Sequence, residues 1–494
     1  MTQANVRSSL ARCWQRGLAL ALTVSLALTP SLAAAQSNAL PSIGGAGGGL
    51  LSAQQEDDIG QQVLMSIRRS VPEIGDPLVY DYLDSITHKL VPSVPLQDRH
   101  LTLTVIDSPE INAFAVPGGI VGVNGGLFLH AETEQEFASV LAHELAHLSQ
   151  RHFARRMEQQ ERSTPLTIAG MLAGIVLSAV TQSDLGIAAI AGTQALSVQN
   201  MLAYSRANEQ EADRVGMDIL ASSGMDPEGM PNMFENMLRE SRLQGNKVPE
   251  YLSTHPLTQN RVADSRNRAD QYPPRSVEDS WEYHLMRRWM QVHYAPTPEM
   301  AVKRFEAETA SGEPDPYHAR PYGLAVAYLE NHQPDKAETQ LRAMLADHPG
   351  RITLEVTLAR ALIDQKKLDQ AQALLKEALY RNPGNYPITF TLANAEMADN
   401  DGEAAAELLK SLTRTMPEQA YLWLKLADAE GMARNIVGVH RARGEYQALM
   451  GDLEAAERQL RQAQEKLPQG SPQRQAVTER LAELARQRHL QQQS

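Results

Sequence analysis

The chain has 494 residues, 43% of them apolar and 21% charged, and a formal net charge of −13. That length exceeds what one hydrophobic core usually supports and predicts two or three domains. The acidic balance excludes a protein that binds phosphate through an overall basic surface, so no nucleic acid partner is expected.

The first 35 residues carry Arg7, Arg12 and Arg16 and no acid, then an apolar run from Gly17 to Leu28, Pro30 and the small residues Ala33 to Ala35. This is the pattern of a secretory signal peptide cleaved before Gln36, because an apolar run of about 12 residues is too short to cross a bilayer. Cleavage would leave a net charge of −16 and remove Cys13, the only cysteine. The mature chain then has neither a disulfide framework nor a thiol nucleophile, which fits export to an oxidising compartment.

Residues 36–52 include Ser42-Ile-Gly-Gly-Ala-Gly-Gly-Gly49 and read as a flexible linker. From about Glu56 to Val91 the apolar spacing (Ile59, Val63, Leu64, Ile67) is helical, and Leu101 to Ile106 alternates as a strand does. Gly118-Gly119 and Asn124-Gly125-Gly126 bracket a second short β-rich run, Ile120 to Val123, that leads into a helix. A long helix is predicted from Glu132 to Met157. Residues 166–204 form two small-residue apolar arms around the polar break Thr181 to Asp184. Gly, Ser and Gln interrupt each arm, so the expectation is a tightly packed helical hairpin; a hairpin that dips into a membrane, giving peripheral membrane contact, is the alternative.

The last third repeats. Pro349, Pro383 and Pro417 are spaced by 34 residues, with Ala337, Ala371 and Ala405 each 12 earlier and Leu341, Leu375 and Leu409 in register. Pro468, Ala456 and Leu460 repeat the pattern 51 residues on, leaving Ala420 to Ile436 as an additional or lengthened helix and the count at three or four units. Small residues that let paired helices approach, with a proline ending the second, are the tetratricopeptide pattern, an α-solenoid that binds peptides or partner proteins. Trp281, Tyr283, Trp289 and Tyr294 are expected at the seam before it. The predicted divisions are thus a first folded domain at 53–275, connecting helices at 276–316 and repeats at 317–494.

The chemistry centres on "AHELAH" at 142–147. Residues four apart share a helix face, so His143 and His147 can ligate one metal, with Glu144 beside them as a general base rather than a ligand. Neutral imidazoles with a carboxylate suit zinc, and a catalytic site needs a third protein ligand. Gln150 and Phe153 exclude the solution in which a third histidine follows closely. A downstream acid is needed, and "NEQEAD" at 208–213 offers Glu209 and Glu211 on a helix-prone run. His130 and His152 read as supporting or surface residues, His152 pointing off the ligand face.

HExxH followed by ExxAD resembles the HtpX and CaaX-prenyl-protease type of zinc metallopeptidase. The resemblance implies a mostly helical α+β fold, with a zincin-type domain that carries a small β-sheet and, in this chain, an α-solenoid after it. It implies one Zn2+ per subunit held by His143, His147 and Glu209, with Glu211 a solvated neighbour and Asp213 an orienting carboxylate. It implies a zinc-activated water from which Glu144 takes a proton, and a strand at Asn112, Ala113 and Phe114 that pairs with the substrate backbone. The exported leader, apolar hairpin, "STHPLTQNR" at 253–261 and repeats together resemble a periplasmic branch of that family which assists outer-membrane β-barrel assembly. That similarity implies unfolded or misassembled outer-membrane proteins as clients, the outer-membrane assembly machinery as partner through the repeats, and chaperone activity beside proteolysis. It makes His255 a regulatory fourth zinc ligand and puts Arg261 near the site, as oxyanion donor or partner of an acid. A repeat-based chaperone or scaffold with a latent metal site is the competing reading.

Overall fold

The computed structural model describes residues 52–96, 98–159, 205–243, 251–275, 277–312 and 314–493. The expected signal, nearly all of the linker and the apolar arms at 166–204 lie outside the described residues. Helix α1 (Ala53–Ser70) starts at Ser52, whose side chain accepts from Gln55 N while Gln55 returns a bond to Ser52 N, satisfying two orphan amides of the first turn. Helix α2 (Pro77–Leu90) is capped by Asp76. The single helical run expected between Glu56 and Val91 is therefore two helices. Val71 sits in extended conformation ahead of Pro72, as a residue before proline tends to, and Glu73 bridges to Ile106 of the sheet.

Among the described residues the sheet has three strands, β1 (Thr102–Ile106), β2 (Ala113–Val116) and β3 (Ile120–Asn124), in the order β1-β3-β2. β1 runs parallel to β3 with Thr102 opposite Ile120, and β2 runs antiparallel to it with Ala115 opposite Val121. Side chains alternate between two cores: Ile106, Phe114, Val116 and Ile120 pack on α1, while Leu103, Val105, Val121 and Val123 join α2 and the helices that follow. Phe114 lies over Gly122, where a Cβ would come within 2.2 Å of the ring. β2 is left as an edge strand.

Helix α3 (Gly125–His130) follows directly, then α4 (Glu134–Ser149), capped by Thr133. Every residue of α4 from Glu134 to His147 is buried, so this helix is the centre of the domain rather than an amphipathic surface helix. The expected helix from Glu132 to Met157 is interrupted: Gln150 closes α4, Arg151 takes φ of 48°, and α5 (His152–Gln159) leaves in a new direction. Helices α6 (Arg206–Ser222) and α7 (Gly229–Leu243) pack on α4, the first so closely that a Cβ on Gly216 would lie 3.2 Å from His143 N. The short α8 (Tyr251–Thr254) and α9 (Gln259–Ala269) complete the domain.

Helix α10 (Trp281–His293) forms the seam. It packs on α2, α3 and the first repeat helix; Tyr283 Oη donates to Ala131 O at 2.8 Å and the Trp281 ring lies tilted against His348. After α11 (Pro298–Ala310) the chain continues as α12 (Arg320–Glu330), α13 (Pro334–Asp347), α14 (Ile352–Asp364), α15 (Leu368–Arg381), α16 (Tyr386–Ala398) and α17 (Gly402–Thr415), each packed on the next. Ala337, Ala371 and Ala405 are fully buried at the contacts between them. The stretch after Pro417 is a separate helix, α18 (Ala420–Met432), and α19 (Ile436–Leu449), α20 (Leu453–Lys466) and α21 (Pro472–Gln493) follow. The proline register is lost there because α19 ends at Gly451, in the left-handed conformation with φ of 77°, instead of at a proline.

The repeats are tied back to the first domain. Arg360 pairs with Asp76 at 2.6 Å, Arg68 donates to Glu418 O at 2.8 Å, and Tyr80 meets Tyr386 edge-on. A cleft of about 1130 Å³ between the two parts is lined by aromatic residues including Tyr80, Tyr386, Phe390 and Tyr421. Among the described residues no helix is long and apolar enough to cross a membrane.

Candidate metal centre

Four buried side chains from three segments converge: His143 and His147 on α4, Glu209 in the first turn of α6, and His255 just beyond α8. His143 Nε2 is 3.0 Å from His147 Nε2 and 3.4 Å from His255 Nδ1. Glu209 Oε1 is 3.4 Å from His147 Nε2 and 3.2 Å from His255 Nδ1. Four donors about 2.0 Å from a tetrahedral zinc lie roughly 3.3 Å from one another, so this donor set fits the ion in both chemistry and spacing. Without a cation, three imidazoles and a carboxylate so close in a dry interior would be a costly arrangement.

The surroundings orient these donors. Asp213, one turn after Glu209, places Oδ1 3.0 Å from His143 Nδ1. Arg261 grips Asp213 with a two-pronged contact, Nε to Oδ2 at 2.8 Å and Nη2 to Oδ1 at 2.7 Å, and its Nη1 lies 2.7 Å from Glu209 Oε2 and 2.8 Å from Pro256 O. Burial pushes the Asp213 carboxyl up, but hydrogen bonds from Arg261 and His143 hold it below its ordinary value. Burial also raises Glu209, yet His255, then hydrogen bonds from His147 and His255, bring it well below the usual carboxylate range. On the other ligand histidine, His147 Nδ1 faces His152 Nδ1 at 2.9 Å, and His152 Nε2 faces Glu211 Oε2 at 3.1 Å. Burial holds His152 neutral, its pKa pushed down to about 4.

Glu144 is buried beside the cluster, and burial raises its pKa against the pull of His255 and His143. Its Oε2 accepts from Ala115 N at 3.2 Å, and its Oε1 lies 3.4 Å from His255 Nε2. The Ala115 amide is thereby turned away from β3, so the free edge of β2 faces the cluster.

His143, Glu144, His147, Glu209, Asp213, His255 and Arg261 are thus brought together. Asn112, Ala113 and Phe114 lie at the start of the edge strand, but the Phe114 side chain is directed into the α1 core and Asn112 O accepts from Asn124 N. His130 stands apart, its Nδ1 3.2 Å from Glu240. The sequence reading took His152 for a supporting or surface residue and Glu211 for a solvated neighbour of the third ligand, and matched neither to a partner. His152 was expected to point off the ligand face on a continuous helix, and the left-handed Arg151 brings it back onto His147. Glu211, expected to be solvated, bonds to His152 and to Arg155 at 2.8 Å. Tyr251 was also unforeseen: fully buried, it stacks on His255 at 4.6 Å. Its spacing, four residues before His255 in a helical turn, was the available signal.

Comparisons with known proteins agree with this geometry. The model of peptidase family M48 matches residues 77–269, which hold the whole cluster, and a tetratricopeptide repeat model matches 328–383 and 362–429. A Vibrio cholerae protein, provisionally named a beta-barrel assembly-enhancing protease, is 40% identical over 331 residues, covering 67% of this chain and 68% of its own. The "Beta-barrel assembly-enhancing protease" of Escherichia coli (strain K12) is 38% identical over 311 residues, 63% of each chain. The similarity therefore spans about two thirds of the length of these relatives. The chain belongs to the M48 metallopeptidase family, in its beta-barrel assembly-enhancing branch with tetratricopeptide repeats.

Proposed function

We propose that the protein is a periplasmic zinc metalloendopeptidase that degrades misassembled outer-membrane β-barrel proteins. The observation that carries this reading is the buried set of His143, His147 and Glu209 with Glu144 alongside, bonded to the Ala115 amide on the outer edge of β2. The periplasmic location rests on the signal-like first 35 residues and on the role named for the relatives. Zinc, when bound, supplies a Lewis acid that activates water and polarises the scissile carbonyl. Glu144 accepts a proton from the attacking water and returns it to the leaving amine, a task suited to a carboxyl whose burial raises its basicity. Asp213 steadies His143, and Arg261 neutralises Asp213 and Glu209; with its nitrogens so engaged, we assign it a supporting role in preference to that of oxyanion donor.

Substrate is read as an added strand along β2 at Asn112, Ala113 and Phe114, where Ala113, alternating with Asn112 and Phe114 that face β3, turns its main-chain groups to the open edge. Because the Phe114 side chain points inward, recognition there is by main chain, which favours extended, unfolded polypeptide. The repeats hold the client and the outer-membrane assembly machinery, with the aromatic cleft beside Tyr386 and Phe390 as the nearest holding surface.

One observation favours a second reading, a repeat-based chaperone or scaffold with a latent metal site. His255 offers a fourth donor, and a zinc site with four protein ligands is closed to water. We reconcile the two by making His255 a regulatory ligand that withdraws when a client binds. If the closed form outweighs the open one tenfold, His255→Ala cleaves an unfolded outer-membrane β-barrel protein about tenfold faster than wild type. Zinc-loaded wild type and His255→Ala that both leave the client intact while preventing its aggregation would instead establish the chaperone reading.

A further inference from the structure

His147 turns Nε2 into the donor cluster and Nδ1 onto a second imidazole, that of His152, at 2.9 Å. His152 is fully buried, and its other nitrogen meets Glu211 Oε2, which also accepts from Arg155 Nη2. We propose that His152, oriented by Glu211 and Arg155, is a positioning residue for the metal centre: a neutral acceptor that fixes the ring of His147. The inference rests on His147 being a metal ligand, as argued above.

The proton positions follow by elimination. A ligating Nε2 commits its lone pair to the metal, so the ring proton of His147 is on Nδ1 and must be donated. His152 Nδ1 then accepts it, which leaves the His152 proton on Nε2, pointing at the carboxylate of Glu211. A doubly protonated His152 would set two N–H groups against each other. The two ligand histidines are therefore held by different chemistry, His143 by the carboxylate of Asp213 and His147 by an uncharged ring.

The backbone is built for this contact. Arg151 adopts φ of 48°, which is uncommon for a residue with a side chain, and its guanidinium is anchored 2.7 Å from Glu56 on α1. That turn is what returns His152 to the ring of His147 only five residues later.

The test measures Zn2+ affinity of the full chain by competition with a chromophoric chelator. Partners of ligating histidines are typically worth about 10- to 100-fold in metal affinity, so His152→Leu should lose that much. In His152→Asn the side-chain oxygen is as many bonds from Cα as Nδ1 is and can accept the same proton, so its affinity stays within roughly threefold of wild type. A role in packing alone predicts equal losses in both variants, and that result, or full affinity in a folded His152→Leu, overturns the proposal. Nitrogen-15 spectra of histidine-labelled, zinc-loaded wild type give an answer that needs no variant: His152 protonated at Nε2 alone is expected, and protonation at Nδ1 overturns it. Wild type that takes up no zinc at all would instead overturn the ligand assignment on which the proposal stands.

Discussion

Glu144→Gln leaves the protein folded and charged with one zinc per chain, yet lowers cleavage of an unfolded polypeptide by about 10³-fold, within the 10²- to 10⁴-fold range of general-base catalysis. Glutamine is nearly isosteric and can still accept from Ala115 N through its amide oxygen, so the contact between α4 and the edge strand survives. What it cannot do is take a proton. Such a loss corresponds to about 4 kcal/mol of transition-state stabilisation, the share assigned to one proton-transfer residue. Metal content and turnover measured on the same purified sample check this. Turnover near the wild-type rate would remove Glu144 from the reaction, and loss of zinc with loss of turnover would make it a ligand.

The second large effect falls on stability. Arg261 is buried, sits over the Phe234 ring, and is the cation shared by Asp213 and Glu209. Arg261→Leu fills much of its volume but leaves two buried carboxylates without their partner, so the metal-free protein should lose about 3–5 kcal/mol. Arg261→Lys recovers only part of this, because a single ammonium cannot reproduce the two-pronged grip on Asp213 together with the ion pair to Glu209 and the bond to Pro256. Urea melts of the three metal-free proteins check the ranking. A difference below about 1 kcal/mol between wild type and Arg261→Leu would mean that the carboxylates are solvated or protonated without the arginine.

The centre was legible in the sequence where chemistry is carried by local spacing. Residues i and i+4 on a buried helix must share a face, which brings His143 to His147, and one further helical turn carries Asp213 from Glu209 to the back of His143. The repeats were legible through prolines 34 residues apart and fell out of register where Gly451 replaced one. What could not be read were features fixed by tertiary contact. Arg151 takes a left-handed conformation usually supplied by glycine, and no residue type announced the break between α4 and α5. The consequence was large, because the break decides whether His152 faces solvent or His147. Glu209 and Glu211 could likewise be separated only weakly by pattern, since both lie on the same short helical run. Packing separates them: Glu209 is buried in the cluster, whereas Glu211 is two residues round the helix, against His152 and Arg155.

The central claim is that hydrolysis depends on the ion held by His143, His147 and Glu209. Removing metal from the full chain with a chelator and titrating zinc back while following cleavage of an unfolded polypeptide tests it most directly. Activity that disappears with the metal and returns fully at one equivalent of zinc per chain is the predicted result; steady cleavage by the metal-free protein would contradict it.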